Sequence, residues 1–401
     1  MSVGPPVATL PARPGLPPEL RGIVTRALVL RVLLVLLIHG FDIEDRFAAD
    51  HYTYNSVAML LASYWSGDSP LFPWKILSGD PRAYYYILAS FYYVFGPYPL
   101  LPKLLNAAVG AFSVRLAYRL AFEVTQSTPA ALRVSRYVAY FPSLILWSSL
   151  NLRDAWVGLL LLIVWTRALR LYERFSFGAL VTFGIAVLAL SQFRGYLVVA
   201  VVAPLAVSFL ALRRGQLVRN TFLGMLLSLV LIYADSIAGL QSARALDLKA
   251  LSEARRWSAQ VSASGFGRDV DVSTPAKAAA FLPIGLVYFF LAPFPWMISN
   301  VRQAITLPEM LFYWSAIPAM FTGGRLLLRQ RFQKIFPLLL ITAGISVGYA
   351  VGQGNVGTMY RHRAQILPVL FVLAAAGKEA RAKARGRGYV EAGRPQGPSG
   401  A

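Results

Sequence analysis

The chain has 401 residues, is 57% hydrophobic and only 14% charged, and carries a net charge of +21. Soluble domains hold about 25% charged residues, so this composition excludes an ordinary soluble enzyme. With no cysteine and three histidines, disulfides, thiolate metal sites, a Cys nucleophile and a His-rich metal cluster are excluded too.

Residues 1–20 are Pro-rich and read as disordered, without the small-residue pattern of a cleaved signal peptide. The first apolar run, 23–41, holds Arg31 with no visible partner. Further spans are expected near 99–122, 133–150, 155–172, 176–191, 196–212, 219–237, 307–324, 335–352 and 363–377. The expected fold is all-α: a polytopic transmembrane bundle of about ten to twelve spans with external interfacial helices. Two stretches are ambiguous. Tyr-rich 82–96 is short and suits an interfacial helix. Apolar 281–298 is broken by Pro283, Pro293 and Pro295, and either spans or dips in and returns.

Loop charge chooses the orientation. With 82–96 lying flat outside, cytoplasmic loops collect Arg133, then Arg167, Arg170 and Arg174, then Arg213, Arg214 and Arg219, then Arg325, Arg329, Arg331 and Lys334. The opposite orientation leaves only Lys103, Arg153 and Arg194 in the corresponding loops. The positive-inside rule selects the first. It makes 21–377 the transmembrane domain and 378–401 a basic cytoplasmic tail, with both termini cytoplasmic. It also accounts for the positive charge without nucleic acid, for which no motif is present. An even number of spans then requires 281–298 to be re-entrant or interfacial.

Four features share the external side: the acidic loop 42–81, Asn151–Asp154, "QFRGYL" (192–197) and "QGNVGTMYRHRAQ" (353–365). The polar segment 238–276 joins them, and its "GFGRDVDVSTP" reads as loop. The first loop holds Asp42, Glu44, Asp45 and Asp50. From Asp50, "DHYTYNSVAMLLASYW" reads as an amphipathic surface helix. Asp50 suits its N-cap and equally a general base beside a pocket at the bilayer surface. Asp154, at the start of the 155–172 span, suits a cap, a surface ion pair with Arg153, or chemistry with Asp50. A charge at a span centre costs roughly 2.5–3.5 kcal/mol, less near the interface, so such groups are paired, wet or functional.

Two carboxylates on one membrane face suit a divalent cation, Mg or Mn, or a base and its orienting partner. Arg194, Arg361 and Arg363 each abut an apolar run. They suit a lipid-linked phosphate, against the plainer reading of snorkelling to headgroups. Glu309 reads as a first-turn acid of the helix it opens.

At these residues a resemblance enters. "DHYTYNSVAMLLASYWSGD" (50–68), then "YYYILASFYYVFGPYPLLPKLLNAAVGAFSVRLAYRLA" (84–121), resembles the N-terminal module of the GT-C integral-membrane glycosyltransferases. These include the dolichyl-phosphate-mannose protein mannosyltransferases and the bacterial aminoarabinose transferase. The matching positions are Asp50 with Tyr54, Phe95-Gly96, and Asp154, and the resemblance covers roughly 21–215. Asp50-His51 replaces the family's Asp-Glu pair, "GDPRAYYY" replaces its Pro-Pro start, and no large soluble C-terminal domain follows. The C-terminal third resembles uncharacterised bacterial membrane proteins near polysaccharide-assembly enzymes.

The resemblance implies a bacterial cytoplasmic-membrane enzyme that moves a sugar from a polyprenyl-phosphate carrier to a glycan, lipid or protein on the outer face. It implies that Asp50 deprotonates or orients the acceptor, and that Asp154 supports it or shares the metal. It places Arg194, Arg361 and Arg363 on the departing phosphate, with His362 assisting and Tyr54 and Arg153 near the substrate. Rival readings are an O-antigen-type polymerase or ligase, a lipid-linked glycan flippase, and a non-catalytic membrane scaffold.

Overall fold

The structure is a computed structural model, and it describes residues 16–48, 50–70, 72–73, 77, 82–173, 176–212, 247–298 and 304–392. The expected span 219–237 and Arg174, Arg213, Arg214 and Arg219 lie outside the described residues. So do 1–15 of the N-terminus, 238–246 of the polar segment and 393–401 of the tail.

Regular structure among the described residues is helical, with one isolated bridge, Gly265 to Asn355. In chain order the helices are α1 (Pro18–Gly40), α2 (Asp50–Trp65), α3 (Arg82–Phe95), α4 (Leu100–Thr125), α5 (Thr128–Tyr140), α6 (Pro142–Trp147), α7 (Asp154–Glu173) and α8 (Phe177–Arg194). Then come α9 (Tyr196–Leu212), α10 (Leu248–Val261), α11 (Pro275–Leu291), α12 (Leu307–Gln330), α13 (Phe332–Gly352), α14 (Val356–Arg363) and α15 (Leu367–Ala392).

Five of them, α1, α4, α7, α8 and α13, are long and apolar enough to cross a membrane. The outward face of α1 carries exposed Leu33, Leu36 and Leu37, while Ile23, Ala27, Val35 and Ile38 are buried. An apolar stripe of that kind suits hydrocarbon and not water. These helices fit a membrane protein.

Several expectations change. The run 133–150 is not one continuous helix. Pro142 has no N–H, so α5 ends at Tyr140 and the short α6 starts afresh. In the polar segment 238–276, the stretch expected as loop has no helix over 265–274, and α10 precedes it, started by Asp247, which accepts from the N–H groups of Lys249 and Ala250. The stretch 281–298 belongs mostly to α11, which begins earlier, after the Thr274 cap, and ends before Pro293. Helix α15 continues without a break past 378, where the basic tail is expected to begin, to Ala392.

The two proline breaks are each closed by an arginine. Pro142 cannot donate to the Val138 carbonyl. Arg31 Nη2 donates to Val138 O at 3.2 Å and Nη1 to Ala139 O at 3.0 Å, while Nε reaches Ser148 Oγ at 2.9 Å. On the other side of the break, the Ser143 N–H donates to Glu309 Oε2 at 2.6 Å. Glu309 therefore serves the first turn of α6 as well as its own helix. Likewise Pro293 leaves Phe289 O without its helical donor. Arg363 Nη1 donates to the carbonyls of Phe289, Phe290 and Ala292 at 3.3, 2.9 and 2.7 Å. Buried carbonyls need such partners, since leaving one bare costs about 1–3 kcal/mol.

Helices α12 and α15 pack closely at Gly323 and Gly377. A Cβ at Gly323 would lie 1.9 Å from Leu373 O, and one at Gly377 1.9 Å from Ala319 O. Small residues let the backbones touch, as is common between helices in lipid.

Candidate functional site

Asp50 opens α2 and Asp154 opens α7, both in first turns where the helix dipole favours an anion. Arg361 lies on α14 and joins them. Its Nη1 donates to Asp50 Oδ2 at 2.7 Å, its Nε to Asp154 Oδ2 at 2.8 Å, and its Nη2 also to Asp154 Oδ2. Asp154 Oδ1 accepts from Arg194 Nη2 at 2.9 Å. Arg194 Nη1 continues to the hydroxyls of Tyr196 and Tyr349 at 3.0 and 3.2 Å, and Tyr349 donates to Gln365 Oε1 at 2.8 Å. Charges of opposite sign thus alternate along a line from solvent inward. The Asp50 side chain is 56% exposed, Arg361 12%, Asp154 5% and Arg194 1%.

The outer end of this line forms part of a cavity of about 810 Å³. Asp50, Arg361 and Thr358 supply polar wall, and Leu34, Ile145 and Met297 supply apolar wall. Residues 262–265 close one side. Residues 262–266 are tied to α14 by Phe266 N–H to Gly354 O at 2.9 Å, Val356 N–H to Ser264 O at 3.0 Å and Asn355 Nδ2 to Ser262 Oγ at 2.9 Å. Gly354 is required there, because a Cβ would meet Arg255 O at 2.3 Å. A second cavity, about 50 Å³, lies inward of Trp147 and Arg361, which line both.

Four of the expected site residues therefore meet: Asp50, Asp154, Arg194 and Arg361. Tyr54 is buried, edge-on to Tyr84 and Tyr85 at 5.4 and 5.9 Å. Arg153 does not pair with Asp154. Its Nη1 donates to Phe193 O at 2.6 Å, at the carbonyl end of α8. Arg363 is withdrawn from the site. It is buried at the Pro293 break, between the rings of Tyr313 and Tyr360. His362 is buried and stacks on Tyr349 with centroids 4.3 Å apart.

A divalent cation does not fit between Asp50 and Asp154 in this arrangement. The Arg361 guanidinium fills that place, and both Asp154 oxygens are engaged by arginine. Among the described residues no third His, Asp or Glu joins them to complete a metal-ligand group.

Burial works against the Arg361 charge, but Asp154, with Asp50 adding, raises the guanidinium above its ordinary value. For His362 the causes act together. Burial, then Arg194, Arg361 and Arg153, hold the imidazole well below the usual histidine range. Three guanidinium groups thus stand against two carboxylates, a balance that favours an anionic ligand.

A pH dependence follows. His362 is neutral when folded where it would be charged when unfolded. Its contribution to stability is complete above an unfolded pKa of about 6.5 and is lost as pH falls below that value. The melting temperature in detergent should drop between about pH 7.5 and 5.5, and less steeply in His362→Gln. Equal slopes in the two proteins would contradict this.

Sequence reasoning passed over a buried polar network beside the site. Glu44 and Lys103, each 4% exposed, form an ion pair. Glu44 Oε1 accepts from the Asn151 N–H at 2.6 Å. Asn106 Nδ2 donates to Leu150 O at 2.8 Å and Leu152 O at 3.0 Å, and Tyr84 donates to Asn151 Oδ1 at 2.7 Å. Asn106 offered the readable signal, an amide inside an apolar helix that must find partners.

No family model matches the chain, and no curated protein matches it significantly.

Proposed function

We propose that this is a membrane glycosyltransferase of GT-C type, moving a sugar from a polyprenyl-phosphate carrier to an acceptor hydroxyl on the external face of the bacterial cytoplasmic membrane. One observation carries the reading. A single guanidinium, Arg361, holds two carboxylates from distant parts of the chain at the wall of a large cavity that is part polar and part apolar. An amphiphile with an anionic head suits that cavity: phosphate toward Arg361, hydrocarbon toward Leu34, Ile145 and Met297.

The roles then separate by exposure. Asp50 is open to the cavity and takes the proton from the acceptor hydroxyl. The acceptor oxygen bonds to the anomeric carbon as the bond from that carbon to the phosphate oxygen breaks. The electron pair leaves on the phosphate, and Arg361 stabilises the growing charge. Asp154, buried with both oxygens engaged, aims Arg361 and takes no proton. No step runs through a metal. Both termini are cytoplasmic in this reading, and the acceptor is a cell-envelope glycan, lipid or protein.

The rival polymerase or ligase would draw on arginines of 238–276. Of these, Arg255 is buried, donates to Gly267 O at 2.7 Å and packs on Phe281, away from the cavity wall.

The test is a donor panel. The purified chain in liposomes should move radiolabelled sugar from polyprenyl-monophosphate donors to envelope acceptors, and not from nucleotide sugars. Transfer from no lipid-linked donor would defeat the reading.

A further inference from the structure

Residues 148–153 form a six-residue turn between α6 and α7 that ends at Asp154. A turn without helical hydrogen bonds owes its shape to the groups that grip it. Here the grips come from several other segments, among them Arg31 on α1 at Ser148 and Asn55 on α2 at the Asn151 amide. Asn106 on α4 holds the Leu150 and Leu152 carbonyls, and Tyr84 on α3 holds the Asn151 side chain. Glu44, in the loop between α1 and α2, takes the Asn151 N–H at 2.6 Å. Its second oxygen is held by Lys103, so the carboxylate has no freedom to turn away.

Glu44 lies in the short loop that leads into α2 and Asp50, and it also bonds the turn that delivers Asp154. It is buried from solvent and does not line the cavity. We infer that Glu44 is a positioning residue, which sets the register between the loop leading to Asp50 and the turn leading to Asp154, and hence the aim of Arg361. As a statement about transfer this rests on the glycosyltransferase reading. As a statement about order in the turn it stands alone.

The difference between positioning and bulk stability decides the experiment. Removing Glu44 by itself would strand the Lys103 charge in the interior and harm the fold. Both variants therefore carry Lys103→Met. Glu44→Gln with Lys103→Met keeps an oxygen for the Asn151 N–H, and Glu44→Ala with Lys103→Met does not. Hydrogen exchange by mass spectrometry and transfer kinetics are read on each full-length chain.

In the alanine variant, exchange in 148–153 should quicken roughly tenfold or more, with other helices unchanged. Its kcat should fall about 100-fold while the donor KM stays within about threefold. The glutamine variant should stay near wild type in both readouts. Indistinguishable variants, or faster exchange throughout the bundle, would overturn the inference. If the wild type transfers from no donor, the glycosyltransferase reading fails, and the exchange pattern still decides whether Glu44 orders the turn.

Discussion

Arg361→Met should lower sugar transfer by roughly 100- to 1,000-fold, the usual loss when a donor aimed at developing negative charge is removed. The fold should survive, because Asp154 keeps Arg194 as its partner at 2.9 Å. Arg361→Lys should restore little. The side chain bonds two carboxylates through three separate nitrogens, and an ammonium on a flexible stem cannot reproduce that fork. Initial rates at saturating donor, with a melting curve on the same preparation, separate this from unfolding. A methionine variant that transfers at the wild-type rate would remove Arg361 from the chemistry.

Gly377→Ala should be strongly destabilising. Its Cβ would sit 1.9 Å from Ala319 O and 2.9 Å from Gly323 N, both backbone atoms that cannot rotate away. Overpacking of this kind costs about 1–3 kcal/mol where side chains can shift, and more where backbones must separate. Helices α12 and α15 would have to move apart. A melting temperature several degrees lower in detergent is expected. Gly184→Ala, where a Cβ meets nothing within 4 Å, should be close to neutral. Similar melting temperatures for the two variants would refute the packing argument.

Much of the helical plan was readable, because apolar runs and punctuating prolines follow from bilayer thickness and backbone chemistry. The helices at 50–65 and 82–95 were readable as helices from their apolar and Tyr-rich patterns. The break at Pro142 was visible as a residue, yet the apolar run around it suggested one span. What mends that break, Arg31 and Glu309, comes from distant helices that no local pattern identifies.

The site divides in the same way. Asp50, Asp154, Arg194 and Arg361 were placed on one side by counting loop charge, and they are in fact neighbours. Arg363 was placed with them for its charge. Helical geometry argues otherwise, since residues two apart on α14 point about 200° apart and cannot share a target. The Arg153–Asp154 pair, one of the readings open to Asp154, does not form because adjacent residues at a helix start diverge, and Arg153 finds the carbonyl end of α8. Apart from Asn106, the Glu44 network was illegible because its members are single polar residues scattered over four segments.

The central claim is that Asp50 is the base of a lipid-linked sugar transfer. The most direct measurement compares wild type with Asp50→Asn for transfer of radiolabelled sugar from polyprenyl-phosphate donors, at matched expression and melting temperature. Asparagine keeps the size and still accepts the hydrogen bond from Arg361, but it cannot take a proton. A loss of roughly 100-fold or more in the variant is the result predicted. Transfer at the wild-type rate would leave Asp50 as a helix cap and contradict the account.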